Sequence, residues 1–149
     1  MSKVFNSSFE ISLRILLLLD ATGTSRSLTD IVLTDFIATY GREFGISDHN
    51  LNGNNLLMYS ELASRREIIQ LALKELVLTG NVFPVQTEAG FLFKITELGQ
   101  KSIRSMSGMY ATEYRSVLSA AFRLIERCST SEVEKMIYDQ SLASLQGRR

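Results

Sequence analysis

The stretch SELASRREIIQLALKELVLTGNVFPVQTEAGFLFKITELG, residues 60–99, decides the fold. Its first half repeats with a helical period. Ser64 and Glu67 have the spacing of a capping box, and Ser60 offers an N-cap one turn earlier. Ile69, Ala72, Leu73, Leu76 and Val77 fall at i, i+3, i+4, i+7 and i+8, which is one apolar face. Gly80 stands where a helix needs a left-handed residue after its last turn. Beyond Asn81 the period drops to two. Val82, Phe83 and Val85 are β-formers, and Phe91, Phe93 and Ile95 alternate with Leu92, Lys94 and Thr96. The polar run 86–90 ends on Gly90, as a hairpin connection does. Pro84, the chain's single proline, makes the first ribbon strand an edge strand. A new helix starts at Thr96-Glu97-Leu98-Gly99. Helix, ribbon and helix in that order predict a winged helix, with the first helix in the recognition position and the ribbon as its wing.

The upstream chain supplies the helices such a domain needs. Ser7 and Glu10 form a capping box that opens a helix over about 8–20. Phe9, Leu13, Leu16 and Leu17 mark its stripe, and Ile15, Leu18 and Leu19 extend it almost all round. A helix that apolar is covered on more than one side, by its own domain or by a partner. Residues 21–26 read as a small polar loop. Ser27 and Asp30 then cap a helix over about 28–44, with Ile31, Val32, Phe36, Ile37 and Tyr40 on its face. Gly41 weakens its last turn and Gly45 stops it. The segment 45–59 is rich in Asn, Gly, Ser and Asp and is long for a connection in a compact domain. It reads as an insertion anchored by Leu51 and by the apolar residues 56–59.

Downstream of the wing, Ile103, Met106, Met109 and Tyr110 continue an apolar stripe, followed by Leu118, Ala121, Phe122 and Ile125. Ser107-Gly108 kinks this segment or breaks it in two. A further capping box at Ser131 and Glu134 opens a last short helix on Val133, Met136, Ile137 and Leu142. The fold class is therefore mainly α with a small β-hairpin. A winged helix-turn-helix core spans 1–99, with its long loop at 45–59. A C-terminal helical extension over 100–149 packs on the core or on a partner.

Chain length and charge narrow the function. A chain of 149 residues is long enough for one domain with a real core. Sixteen basic and sixteen acidic residues cancel, so nucleic-acid binding by bulk charge is excluded and any contact needs a local patch. Glu10 and Arg14 interrupt the one apolar N-terminal run, so neither a signal peptide nor a membrane span is expected. The lone Cys128 suits a reducing cytosol. Asn6-Ser7-Ser8 is a chance match to a glycosylation sequon.

No catalytic constellation is legible. His49 is the only histidine, so no zinc-ligand spacing exists with Cys128, and His49 reads as a solvated loop residue. Acidic residues do not cluster, no glycine-rich phosphate loop is present, and no cofactor is implied. The methionines read as core or interface filler. The candidate site is basic. Arg65, Arg66 and Lys74 lie on the recognition-position helix, Lys94 on the wing, and Lys101 and Arg104 on the next helix. Such residues contact DNA bases and phosphates in winged-helix readers. Against this, Glu61, Glu67 and Glu75 balance the three helix cations, and Glu61 sits at i, i+4 from Arg65, where the two pair.

The segments SFEISLRILLLLD (8–20), SLTDIVLTDFIATYGREFG (27–45), DHNLNG (48–53), YSELASRREIIQLALKELVLTGNV (59–82) and GFLFKITELGQKSIRSMSGMYATEY (90–114) carry a resemblance. The chain resembles the small middle component of bacterial ABC-three-component systems, relatives of Lamassu-type antiphage defence. The resemblance implies a compact cytoplasmic winged-helix subunit without catalytic residues. It implies two partners, an SMC/Rad50-like ATPase and an effector such as a nuclease, which the subunit bridges or restrains. Direct DNA contact is then secondary and shared. The alternative is a winged-helix transcriptional regulator that binds DNA as a dimer.

Overall fold

The computed structural model describes residues 7–51, 58–105 and 108–146. Six α-helices and three short strands follow in the order α1 (Ser8–Thr22), β1 (Arg26–Ser27), α2 (Leu28–Thr39), α3 (Met58–Leu78), β2 (Val82–Thr87), β3 (Gly90–Ile95), α4 (Glu97–Arg104), α5 (Met109–Arg127) and α6 (Thr130–Leu145). This is a mainly helical, winged-helix arrangement. The strands form one antiparallel sheet in the order β1-β3-β2, with α3 leading directly into the β2–β3 wing.

Local chemistry sets the helix ends. The Ser7 Oγ accepts from the Glu10 amide at 3.2 Å and the Ser27 Oγ from the Asp30 amide at 3.1 Å, so both capping boxes read from the sequence stand. Gly80 adopts a φ of 81°. It lets the Asn81 amide reach back to the Leu76 carbonyl at 2.9 Å, the closure of a Schellman motif. Thr96 caps α4 by accepting from the Gly99 amide at 3.0 Å, and its hydroxyl donates to the Gly80 carbonyl at 2.6 Å. The start of α4 is thereby tied to the end of α3.

Several boundaries differ from the sequence reading. The recognition-position helix already begins at Met58, so Ser64 and Glu67 lie inside it and cap nothing. Arg26, read as loop, and the N-cap Ser27 pair with Phe93 and Leu92 of β3. The second helix ends at Thr39, and Gly41–Phe44 forms a separate 3₁₀ turn closed by left-handed Gly45. The wing turn is tighter than the five-residue connection expected, because Thr87 already pairs with Gly90. The last helix is capped by Ser129 and Glu132, not by Ser131 and Glu134. The Ser129 amide donates to the Glu132 carboxylate at 2.9 Å, and the Glu132 amide donates back to the Ser129 hydroxyl at 3.1 Å. The segment after the wing is broken in two, α4 ending at Arg104 and α5 beginning at Met109. The expected arm over 1–6, the loop portion 52–57, Met106 with Ser107, and 147–149 lie outside the described residues.

The core gathers around α1 and α2. From Leu13 to Leu19 every residue of α1 is buried, and so is every residue of α2 from Ile31 to Thr39. Helices α2, α3, α4 and α5 and strand β3 all pack on α1, while α6 packs on α2 and α3. That explains the all-round apolar first helix: its own domain covers it. Tyr114, Leu118 and Ala121 of α5 and Val133 and Ile137 of α6 join the same core. Phe9, expected in the buried stripe, is 61% exposed instead. Pro84 sits opposite Phe93 in β2, the strand at the sheet edge, where a missing amide costs no ladder bond.

Gly99 is a tight point in this packing. A Cβ there would stand 2.3 Å from the Asn81 carbonyl oxygen and 2.7 Å from Ile95 Cγ1. The expected outcome for Gly99→Ala is a loss of about 1–3 kcal/mol, the usual cost of overpacking. Urea unfolding followed by circular dichroism checks it, and unchanged stability would show that α4 does not depend on this approach.

Candidate functional site

Three buried charged groups, Arg14, Asp35 and Arg65, form one cluster. Arg14 on α1 meets Asp35 on α2 in a two-pronged pair, Nε to Oδ1 at 2.8 Å and Nη2 to Oδ2 at 3.2 Å. Arg65 on α3 reaches the same carboxylate from the other side, Nη1 to Oδ2 at 3.4 Å. Tyr114 on α5 donates its hydroxyl to Asp35 Oδ1 at 2.7 Å. Arg65 also donates to the Thr39 hydroxyl at 2.5 Å and pairs with Glu61 at 2.5 Å. Tyr40 donates to the second oxygen of Glu61. Arg14 Nη1 donates to the Tyr110 hydroxyl at 3.2 Å. The Arg65 guanidinium lies 5.0 Å from the Phe36 ring centroid and 5.4 Å from that of Tyr40, within cation–π range.

The electrostatics follow from this geometry. Burial alone would raise the Asp35 carboxyl. The Arg14 and Arg65 charges, with hydrogen bonds from Arg14 and Tyr114, hold it below its ordinary value of 3.8. Burial likewise works against the Arg14 charge, but Asp35 outweighs it and the net shift is upward. Burial and then the adjacent carboxylate push the Tyr114 phenol well above its ordinary value of 10.0. Two cations, Arg14 and Arg65, are matched by two anions, Asp35 and Glu61. One buried charge cluster therefore clamps α1, α2, α3 and α5.

This overturns one assignment of the sequence reading. Arg65 is 1% exposed and is committed to the core, so it offers nothing to DNA. The Glu61–Arg65 pair expected at i, i+4 is present, as part of the buried cluster. The other five basic residues are exposed, yet they are dispersed. Arg66 donates to the Thr29 hydroxyl at 3.1 Å beside α2. Lys74 lies on the side of α3 that faces the wing. Lys94 alternates with Phe93 along β3 and so points to the opposite face of the ribbon. Lys101 and Arg104 stand in the last turn of α4, where cations complement the negative helix end.

Between α3 and the wing lies a groove of about 680 Å³. Its walls are apolar: Leu71, Val77 and Leu78 on the helix, Pro84, Phe91 and Phe93 on the ribbon. Leu71, Leu78 and Phe91 are 68%, 73% and 55% exposed. A second groove of about 590 Å³ runs between α1 and α3 and shares Leu71 as its ridge. The outward side of α3 is therefore an apolar surface between two grooves, with Glu67 and Lys74 at the rim of the first. Exposed apolar patches of this kind mark interaction sites.

Among the described residues, no group of three or more His, Cys, Asp or Glu side chains could hold a metal ion. His49 is an exposed loop residue. Its ring bridges Asp48 at 2.8 Å and Glu113 of α5 at 3.1 Å, and the hydrogen bond to Asp48, then that to Glu113, raises its pKa. Cys128 is half-buried at the end of α5. No helix among the described residues is long and apolar enough to cross a membrane.

Asp35 is the keystone of the cluster. Asp35→Asn leaves two buried arginines without their shared anion, and its expected cost is about 3–5 kcal/mol in urea unfolding. The wild-type protein follows the same logic in acid. The folded carboxyl has the lower pKa, so its contribution is full above the ordinary value of 3.8 and is lost as pH falls through the folded value. Urea midpoints taken at falling pH should decline only below that range. A flat profile through strong acid would show that Asp35 is not held ionised.

No curated protein and no solved structure matches the chain. A family model does match, that of the ABC-three component (ABC-3C) system Middle Component 2, over residues 4–147. Nearly the whole chain is covered, every element described above included, so this protein belongs to the Middle Component 2 family of ABC-three component systems.

Proposed function

We propose that the chain is a non-catalytic accessory subunit that bridges an SMC/Rad50-like ATPase and an effector, such as a nuclease, in an antiphage defence complex of the Lamassu type. A middle component of a multi-component system has protein partners. The observation that carries the reading is the state of the α3–wing face. A DNA reader presents cations and polar groups there. Here Arg65 is turned into the core, and Leu71, Leu78 and Phe91 stand outward beside the exposed Arg66 and Lys74. That surface suits protein. The zero net charge of the chain supports the same conclusion, because the phosphate backbone dominates nucleic-acid affinity. A bridge needs a second contact site, and Met109, Tyr138 and Leu145 are further exposed apolar residues.

Two measurements test this. Co-expressed with the ATPase and effector of its own system, the chain should co-purify with both, and Leu71→Asp should weaken that assembly. Alone, it should bind duplex DNA no tighter than the nonspecific range of about 10⁻⁴–10⁻⁶ M at physiological salt. Purification apart from any ATPase, together with tight binding to one operator sequence, would instead establish the regulator reading. Charge reversal at Arg66, Lys94, Lys101 and Arg104 should leave complex assembly intact.

A further inference from the structure

The outward face of α3 carries opposite charges placed symmetrically about Gln70 and Leu71. Glu67 and Lys74 both line the groove rim and both are exposed. They lie seven residues apart, two helical turns or about 10 Å, too far to pair with each other. Neither has an oppositely charged residue three or four positions away on its own helix, the spacing at which helical pairs form. Among the described residues neither makes an ion pair. Midway between them lie Gln70 and the exposed Leu71. One heptad beyond Leu71 is the exposed Leu78, and the exposed residue equally far on the other side of the midpoint is the small Ala63.

This pattern is self-complementary. If a second α3 lies antiparallel across the first, with a two-fold axis passing between Gln70 and Leu71, Glu67 of each copy meets Lys74 of the other. The same axis sets Leu71 of each copy against Gln70 of the other at the centre, and Leu78 of each copy against Ala63 of the other. Charged and apolar contacts are then both complementary across the axis. An isologous contact of this kind closes on itself and produces a dimer.

We propose that the α3–wing face docks a second copy of this chain, α3 against α3, with two Glu67–Lys74 pairs across the axis. The proposal rests on the reading of this face as a protein-contact surface and names its occupant. It also covers the helix surface with which a winged helix would enter a DNA groove.

Sedimentation of the full chain tests it, using Glu67→Lys and Lys74→Glu. Both positions are exposed, and far-UV circular dichroism verifies that the variants fold. At about 50 μM, where an interface of micromolar Kd is mostly occupied, the wild type should be dimeric. Each single variant sets like charges opposite each other and should weaken the dimer by about tenfold or more. Mixed together, the two variants regain both opposite-charge pairs and should form a heterodimer as stable as the wild type. The double variant should dimerise for the same reason. A monomeric wild type, single variants that dimerise like the wild type, or a mixture that stays monomeric would each overturn the proposal. A monomeric wild type whose assembly with the ATPase is still weakened by Leu71→Asp would remove the second copy and leave the protein-contact reading standing.

Discussion

A single buried carboxylate governs the arrangement of this domain. Asp35 is on α2, yet its oxygens receive donors from α1, α3 and α5. Two guanidiniums taken out of water are costly unless their charges are matched and their donors used. That requirement couples the four helices, because moving any one of them strands a buried charge. Apolar packing along α1 and α2 supplies the bulk of the core, but it is tolerant of small shifts. The two-pronged contact of Arg14 and the reach of Arg65 are not, since both depend on direction as well as distance.

The consequence for α3 is a fixed rotation about its own axis. Arg65 must point inward to reach Asp35 and Thr39, so the residues at the opposite side of the helix must point out. Those residues are Glu67, Gln70, Leu71, Lys74 and Leu78. The wing extends the same surface with Phe91. A fold whose recognition helix and wing commonly approach nucleic acid thus turns outward, under one internal ion cluster, a face that mixes Leu71, Leu78 and Phe91 with Glu67, Gln70 and Lys74. A chain with no net charge agrees with that orientation.

The order of elements was legible in the sequence because it rests on strong local signals. The stop at Gly80, the change of period after Asn81 and the caps at Ser7 and Ser27 all have near-neighbour causes. The cluster was not legible, since its members are 21, 30 and 79 positions apart. A hint existed. Arg14 interrupts the run ISLRILLLL and Asp35 the run IVLTDFIATY, and opposite charges inside two helices apolar all round are candidates for a buried pair. The burial of Arg65 gave no such hint, because its own helix is amphipathic and carries several other charges. β1 escaped notice because two residues show no alternation. At the last helix the run STSEVE contains two nested capping boxes, and the structure uses the first. Ser64 and Glu67 show the converse case, the right spacing inside a helix that began earlier.

The central claim is that the outward face of α3 touches protein rather than DNA. A diazirine side chain at position 71, irradiated in the assembled three-component complex with duplex DNA present, reports directly on what lies against that face. The account predicts adducts to polypeptide, identified by mass spectrometry, with DNA adducts at background. Efficient crosslinking of position 71 to DNA, with no polypeptide adduct, would contradict it.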